Sequence, residues 1–183
     1  HVIGNMPELR SGLSSNDSPE EWISTLKENT KRHWLNSEVA KISGERVRSC
    51  IAGTLRQLKA HHYNRGDTFI RFQSDFSNVE NPRLRKVLRE WYLDGRDDGL
   101  CNSYVRGHMA DDLSRYLYAA CFAKIHGWSP KLSEFPKGLQ PNHRNVGSGH
   151  FEDRFRVQLA ERQSTTITSH ISKDGHYYIH YDP

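Results

Sequence analysis

The hydrophobic rhythm of this chain changes once, near Ser129, and that change limits what it can fold into. Up to His126 the apolar residues recur at helical spacing, and from Phe155 onward they fall in short β-type runs. Over 183 residues this pattern predicts an α+β fold: a mainly helical body followed by a small antiparallel β unit. The expected divisions are an irregular lead-in at 1–17, the helical body at 18–128, a loop at 129–152 and the β unit at 153–183. The length suits one domain, or one domain with a sizeable insertion.

Local chemistry sharpens the helices. Ser18, Pro19 and Glu21 read as a helix start with a capping box, ahead of Trp22, Ile23 and Leu26. A second helix is predicted over Glu45–His62, with Val47, Ile51, Leu55 and Leu58 on one face. Asn81-Pro82 opens a third through Leu88, Trp91 and Tyr92. The fourth spans Val105–His126, with Met109, Leu113, Tyr116, Leu117 and Ala120 on one buried face and Gly127 closing it. Strands are expected at Thr68–Phe72, Phe155–Leu159, Thr165–His170 and His176–His180. The three prolines and three glycines of 129–150 predict a long loop.

Composition narrows the classes. Four Trp, eight Tyr and seven Phe are more than a disordered chain usually carries, despite a mean hydropathy of −0.82. The formal charge of +4 and pI near 9.0 permit nucleic-acid contact. The basic residues form no tail, so any such surface must be assembled by folding. Cys50, Cys101 and Cys121 are widely spaced and form no CxxC, which predicts structural thiols in a reducing compartment. No apolar run approaches a membrane span, so no membrane partner is expected.

Few constellations carry chemistry. His61, His62, His143 and Asn145 faintly resemble a histidine–asparagine nuclease site, which makes a metal-dependent nuclease one alternative. The eleven histidines have no zinc-type spacing, and no metal site is expected. Asp111 and Asp112 fit a solvated face or a partner for Arg106 or Arg115. In the β unit, Arg154 and Arg156 share one face of a strand, which serves either phosphate contact or a cross-strand ion pair. Thr166, Thr168 and Ser169 are good strand residues whose hydroxyls also suit DNA contact. Lys173 projects from a turn.

Three stretches together, Asp153-Arg-Phe-Arg-Val-Gln158, Ser164-Thr-Thr-Ile-Thr-Ser-His170 and Lys173-Asp-Gly-His-Tyr-Tyr-Ile-His180, resemble the end of the target-recognition region of bacterial DNA (cytosine-5)-methyltransferases. In that family such a stretch leads into motif IX, Arg-x-Leu-Thr-x-Arg-Glu, and Pro183 stops just short of it. Val2-Ile-Gly-Asn-Met-Pro-Glu-Leu-Arg-Ser-Gly12 is similar to the segment after motif VIII. The stretches His108–Tyr118 and Phe135–His143 resemble a subgroup of the same enzymes. The resemblance implies a fragment between motifs VIII and IX, from a bacterial cytoplasmic enzyme of the restriction-modification kind.

The family's chemistry uses a cysteine that attacks a flipped cytosine, a glutamate at N3, and S-adenosylmethionine as methyl donor. The Pro-Cys-Gln, Glu-Asn-Val and Phe-x-Gly-x-Gly motifs that hold them do not occur in this sequence. No catalytic residue and no cofactor site is therefore carried over to this chain. The implied partners are double-stranded DNA and the catalytic domain of the same parent chain. Arg154, Arg156 and Lys173 are the phosphate candidates, and Thr166, Thr168, Ser169 and His170 are the candidates near the bases. His143 and Arg144 are further loop candidates. Thr168-Ser169 stands where the family has Thr followed by an aliphatic or small residue, with Ser in place of the commoner Leu or Val. The competing reading is a stand-alone nucleic-acid-binding or regulatory module without methylation.

Overall fold

The computed structural model describes residues 7–58, 64–72, 76–93, 99–142, 152, 154–166 and 177–183. Its elements run β1 (Gly12–Leu13), α1 (Pro19–Glu28), α2 (Val39–Ser43), α3 (Glu45–Gln57), β2 (Phe69–Arg71), α4 (Pro82–Tyr92), β3 (Gly99–Cys101), β4 (Gly107–His108), α5 (Ala110–His126), β5 (Phe155–Val157) and β6 (Tyr177–Ile179). The α+β class with a helical body is as expected, and the described strands make three two-stranded sheets. The chain divides into two units, His1–Pro19 with Ala60–Gly107 and Glu20–Lys59 with His108–Pro183.

The second unit is built around α5. Val47, Ile51 and Leu55 face inward on α3 at spacings of four residues, and α3 packs on α5. From Asp112 to Ala123 nearly every residue of α5 is buried, so the helix is enclosed rather than half-wet. Two details differ from the expectation. The helix begins at Ala110, because Gly107 and His108 are extended, and Met109 lies exposed as its N-cap residue instead of on the buried face. Gly127 does close it, with φ of 80° and its N–H donating to the Ala123 carbonyl.

What encloses α5 includes the segment expected to be a loop. Residues 130–139 form two short 3-10 turns, Leu132–Glu134 and Lys137–Leu139, that press Pro130, Leu132, Phe135, Pro136 and Leu139 into the core. Two side chains of α5 tie the segment down. The Tyr118 hydroxyl donates to the Glu134 carbonyl at 2.6 Å, and Arg115 Nε donates to the Leu139 carbonyl at 2.7 Å. Arg115 also pairs with Asp112 at 2.7 Å, with both side chains nearly buried. This is one of the partners the sequence offered for Asp112. Burial pushes the Tyr118 phenol up to about 12.

The first unit has a smaller apolar cluster, Phe76, Val79 and Leu88 with Leu93 against it. Asn81 caps α4 by accepting from the Arg83 and Leu84 N–H groups, with Pro82 in the first turn. β2 and β3 pair antiparallel, Ile70 opposite Leu100. Gly12 N–H donates to the Arg106 carbonyl at 3.1 Å. Asp17 sits between two arginines, accepting from Arg10 at 2.7 and 2.9 Å and from Arg65 at 3.0 Å, while Leu13 N–H donates to it at 2.8 Å.

The pairing of β5 with β6 is a correction. The β unit was expected to be antiparallel, and these two strands run parallel, Arg156 opposite Tyr178. A tight hairpin requires strands adjacent in sequence, whereas residues 158–176 intervene here and give room for a crossover. The strand expected at Thr165–His170 is also not seen where it can be checked: Thr165 and Thr166 are irregular, and 167–170 lie outside the described residues.

Candidate nucleic-acid interface

The face of β5 is set by alternation. Phe155 and Val157 are buried, Phe155 against the rings of Phe135 and Tyr116, at centroid distances of 5.5 and 6.2 Å. Arg154 and Arg156 therefore share the opposite, half-buried face, as the spacing predicts. Ser129 fixes the strand from the side: its hydroxyl accepts from Val157 N–H at 2.9 Å and donates to the Phe155 carbonyl at 3.2 Å. Both arginines already make contacts within the chain, so a phosphate would have to share or exchange them.

The segment after β5 folds back over β6. Gln158 N–H donates to the Ile179 carbonyl, and the Gln158 side-chain oxygen accepts from Thr165 N–H at 2.9 Å. The Tyr178 hydroxyl then donates to the Thr166 carbonyl at 3.3 Å. Because Tyr178 is the register partner of Arg156, the fold brings Arg156, Tyr178 and the exposed Thr166 together. A guanidinium and two hydroxyl groups on one face suit contact with phosphate or sugar oxygens. Thr168, Ser169, His170, Lys173, His143 and Arg144 lie outside the described residues, as do His61, His62 and Asn145. Sequence reasoning passed over Tyr178, whose only signal was its place beside the alternating run.

A second basic surface was not anticipated. In the first unit α4 reads Pro-Arg-Leu-Arg-Lys-Val-Leu-Arg-Glu-Trp-Tyr. Leu88 turns inward, and Leu84, Val87 and Trp91 form an exposed stripe, with Trp91 81% accessible. Arg85 is withdrawn, its guanidinium donating to the Val79 carbonyl at 2.9 and 2.7 Å. Lys86 lies 3.8 Å from Glu90. Arg83 and Arg89 are exposed, and their guanidinium groups have no bonded partner among the described residues. Free guanidinium groups beside an exposed indole combine phosphate contact with a stacking surface. The signal was visible as basic residues between the apolar positions of one helix.

Other charged clusters are structural. Arg10 and Arg65 are engaged by Asp17, and the Arg10 guanidinium, followed by Leu13 N–H and Arg65, holds the Asp17 carboxyl far below the usual carboxylate range. Among the described residues, no group of His, Cys, Asp and Glu is arranged to hold a metal ion, and no helix is long and apolar enough to cross a membrane.

Comparison with known proteins gives one informative likeness. No family model matches the chain, and no solved structure matches it. Over 97 residues it is 36% identical to the Type II methyltransferase M.Bpa9945I of Bacillus paralicheniformis. The aligned stretch is 52% of this chain and 21% of the relative, so the chain spans about a fifth of that protein's length. The match agrees with the resemblance drawn from the sequence at the level of a methyltransferase. It does not distinguish which base the relatives modify.

Proposed function

We propose that this chain is a DNA-recognition region of a restriction-modification methyltransferase, of the cytosine-5 class, and that it holds duplex DNA for a catalytic domain carried elsewhere in the parent protein. The observation that carries this reading is the β5–β6 face. There the stretch resembling a target-recognition region carries the half-buried Arg154 and Arg156, with Tyr178 the register partner of Arg156 and bonded to Thr166. The likeness to a methyltransferase supports the same reading from a separate direction.

In this reading the arginines fix the register of the duplex through its phosphates, and Thr166 with the neighbouring Thr168, Ser169 and His170 lies near the bases. Lys173, His143 and Arg144 extend the phosphate contacts. The methyl donor, S-adenosylmethionine, belongs to the catalytic domain. The depression between α3 and α5, about 400 Å³, is walled by Glu45, Arg46, Ser49, Cys50 and Ile125.

The direct test is binding of a labelled duplex by the chain and by an Arg154→Ala/Arg156→Ala variant, across a salt series. The expected result is weak, salt-dependent binding whose log–log salt slope falls by about one for each arginine removed. Tight, salt-insensitive binding to single strands or RNA would overturn the reading. The cytosine-5 assignment has its own test: Pro-Cys-Gln and Glu-Asn-Val motifs in the coding sequence upstream of His1. Without them, the stand-alone nucleic-acid module becomes the better account.

A further inference from the structure

Among the described strands, β5 has a neighbour on one side only. It pairs with β6, and Gln158 N–H donates to the Ile179 carbonyl on that side. By alternation the Phe155 carbonyl and the Val157 N–H point to the other edge, where a third strand would supply a donor and an acceptor. One hydroxyl supplies both. Ser129 Oγ donates to the Phe155 carbonyl at 3.2 Å and accepts from Val157 N–H at 2.9 Å. A hydroxyl suits this place because donor and acceptor sit on a single atom.

Ser129 is itself held in place. The buried Pro130 follows it, and a following proline disfavours helical backbone at Ser129. Further along, Leu132 N–H donates to the Glu152 carbonyl at 2.7 Å, and the Ser133 hydroxyl donates to the Glu152 carboxylate at 2.7 Å. Tyr118 ties the same segment to α5 through the Glu134 carbonyl. A chain of hydrogen bonds therefore runs from the enclosed helix through 129–134 to β5.

We propose that Ser129 is a positioning residue for nucleic-acid binding: by closing the outer edge of β5 it holds the strand on which Arg156 stands opposite Tyr178. The inference rests on the DNA-recognition reading of the β5–β6 face and adds a residue that acts there without touching the ligand. Phe155 and Val157 are buried, so loss of the hydroxyl leaves a carbonyl and an N–H without partners where water replaces them poorly. β5 is three residues long, and a strand that short has few other bonds to keep Arg156 in register.

The test measures labelled-duplex binding by the whole chain and by Ser129→Ala, alone and combined with Arg154→Ala/Arg156→Ala. Ser129→Ala should weaken binding about tenfold, and Ser129→Thr, which keeps the hydroxyl, should bind within about twofold of the native chain. In the background lacking both arginines Ser129→Ala should cause no further loss, because the residue acts through them. Segment-resolved hydrogen exchange should quicken at 155–158 in Ser129→Ala and stay unchanged in α5. Equal weakening with and without the arginines, a threonine variant that binds no better than the alanine variant, or loosening of α5 overturns the proposal. Weakening by the arginine variant with no effect of Ser129→Ala overturns this inference alone. An arginine variant that binds like the native chain overturns the DNA-recognition reading and this inference with it.

Discussion

The two units of this protein hold themselves together by different means. In the second, apolar burial dominates: α5 is enclosed by α3 and by the 130–139 segment, and its buried polar groups each find a partner. In the first, the apolar cluster is small and a half-buried carboxylate joins the buried Arg10 to Arg65 instead. Hydrophobic contact loses strength gradually as area is removed, whereas a buried charge such as Arg10 is left uncompensated when its one carboxylate goes. The same difference leaves α4 of the first unit with an exposed, basic face, while the second unit turns most of α5 inward.

The sharpest way to break this contrast is to truncate each core in turn. Phe135→Ala should cost about 3–5 kcal/mol, because the ring is fully buried against Tyr118 and Phe155. Leu88→Ala, at the edge of the smaller cluster, should cost about 2–3 kcal/mol. Hydrogen exchange read segment by segment is the suitable measurement, since two units need not unfold together. Equal costs would erase the distinction.

Phe135 also marks where the sequence stopped being readable. The helices were legible because their signals are local: the Asn81-Pro82 cap, the four-residue spacing of Val47, Ile51 and Leu55, and Gly127 at the end of α5. Burial of residues 130–139 comes from Tyr118 and Arg115 reaching across from α5, and nothing in a proline-rich stretch announces that. The parallel pairing of β5 and β6 was hidden for a related reason, since strand direction depends on the path of the intervening chain. At the candidate interface, alternation was legible as buried Phe155 and Val157 between half-buried Arg154, Arg156 and Gln158. The charges of α4 were in plain view, but their importance follows from which ones folding leaves free.

The ionic junction gives the next largest effect. Asp17→Asn keeps the shape and removes the charge, leaving Arg10, 5% exposed, buried without its carboxylate. A loss of about 3 kcal/mol is expected, seen as faster exchange in the first unit alone. The pH dependence has a definite sign. The folded carboxyl titrates below its ordinary value of 3.8, so its contribution is complete above that value and is lost as pH falls from there toward the depressed folded value. The native first unit should loosen in acid over this window, and the Asp17→Asn variant should show no such loosening. A matching response in the variant would place the acid sensitivity elsewhere.

On α4 the expected effects are on binding rather than stability. Arg83→Ala/Arg89→Ala should leave the fold intact and lower the salt slope of duplex binding by about two. If only the β5 arginines move the slope, the second unit alone carries the DNA contact and α4 serves another purpose.

Trp91→Ala should give the smallest change in stability, below about 0.5 kcal/mol, because the indole is exposed along its helix and lies outside the small core. That near-neutrality makes it informative. A residue that contributes little to the fold yet sits between Val87, Leu84 and two free arginines can be tested for recognition without unfolding the protein. If bases stack on it, its loss should weaken nucleic-acid binding by about 1 kcal/mol while leaving the salt slope unchanged, since no phosphate contact is removed. A fall in slope would mean that the ring positions Arg83 or Arg89. Unchanged binding would confine α4 to electrostatic attraction and return the specific contacts to the β5–β6 face.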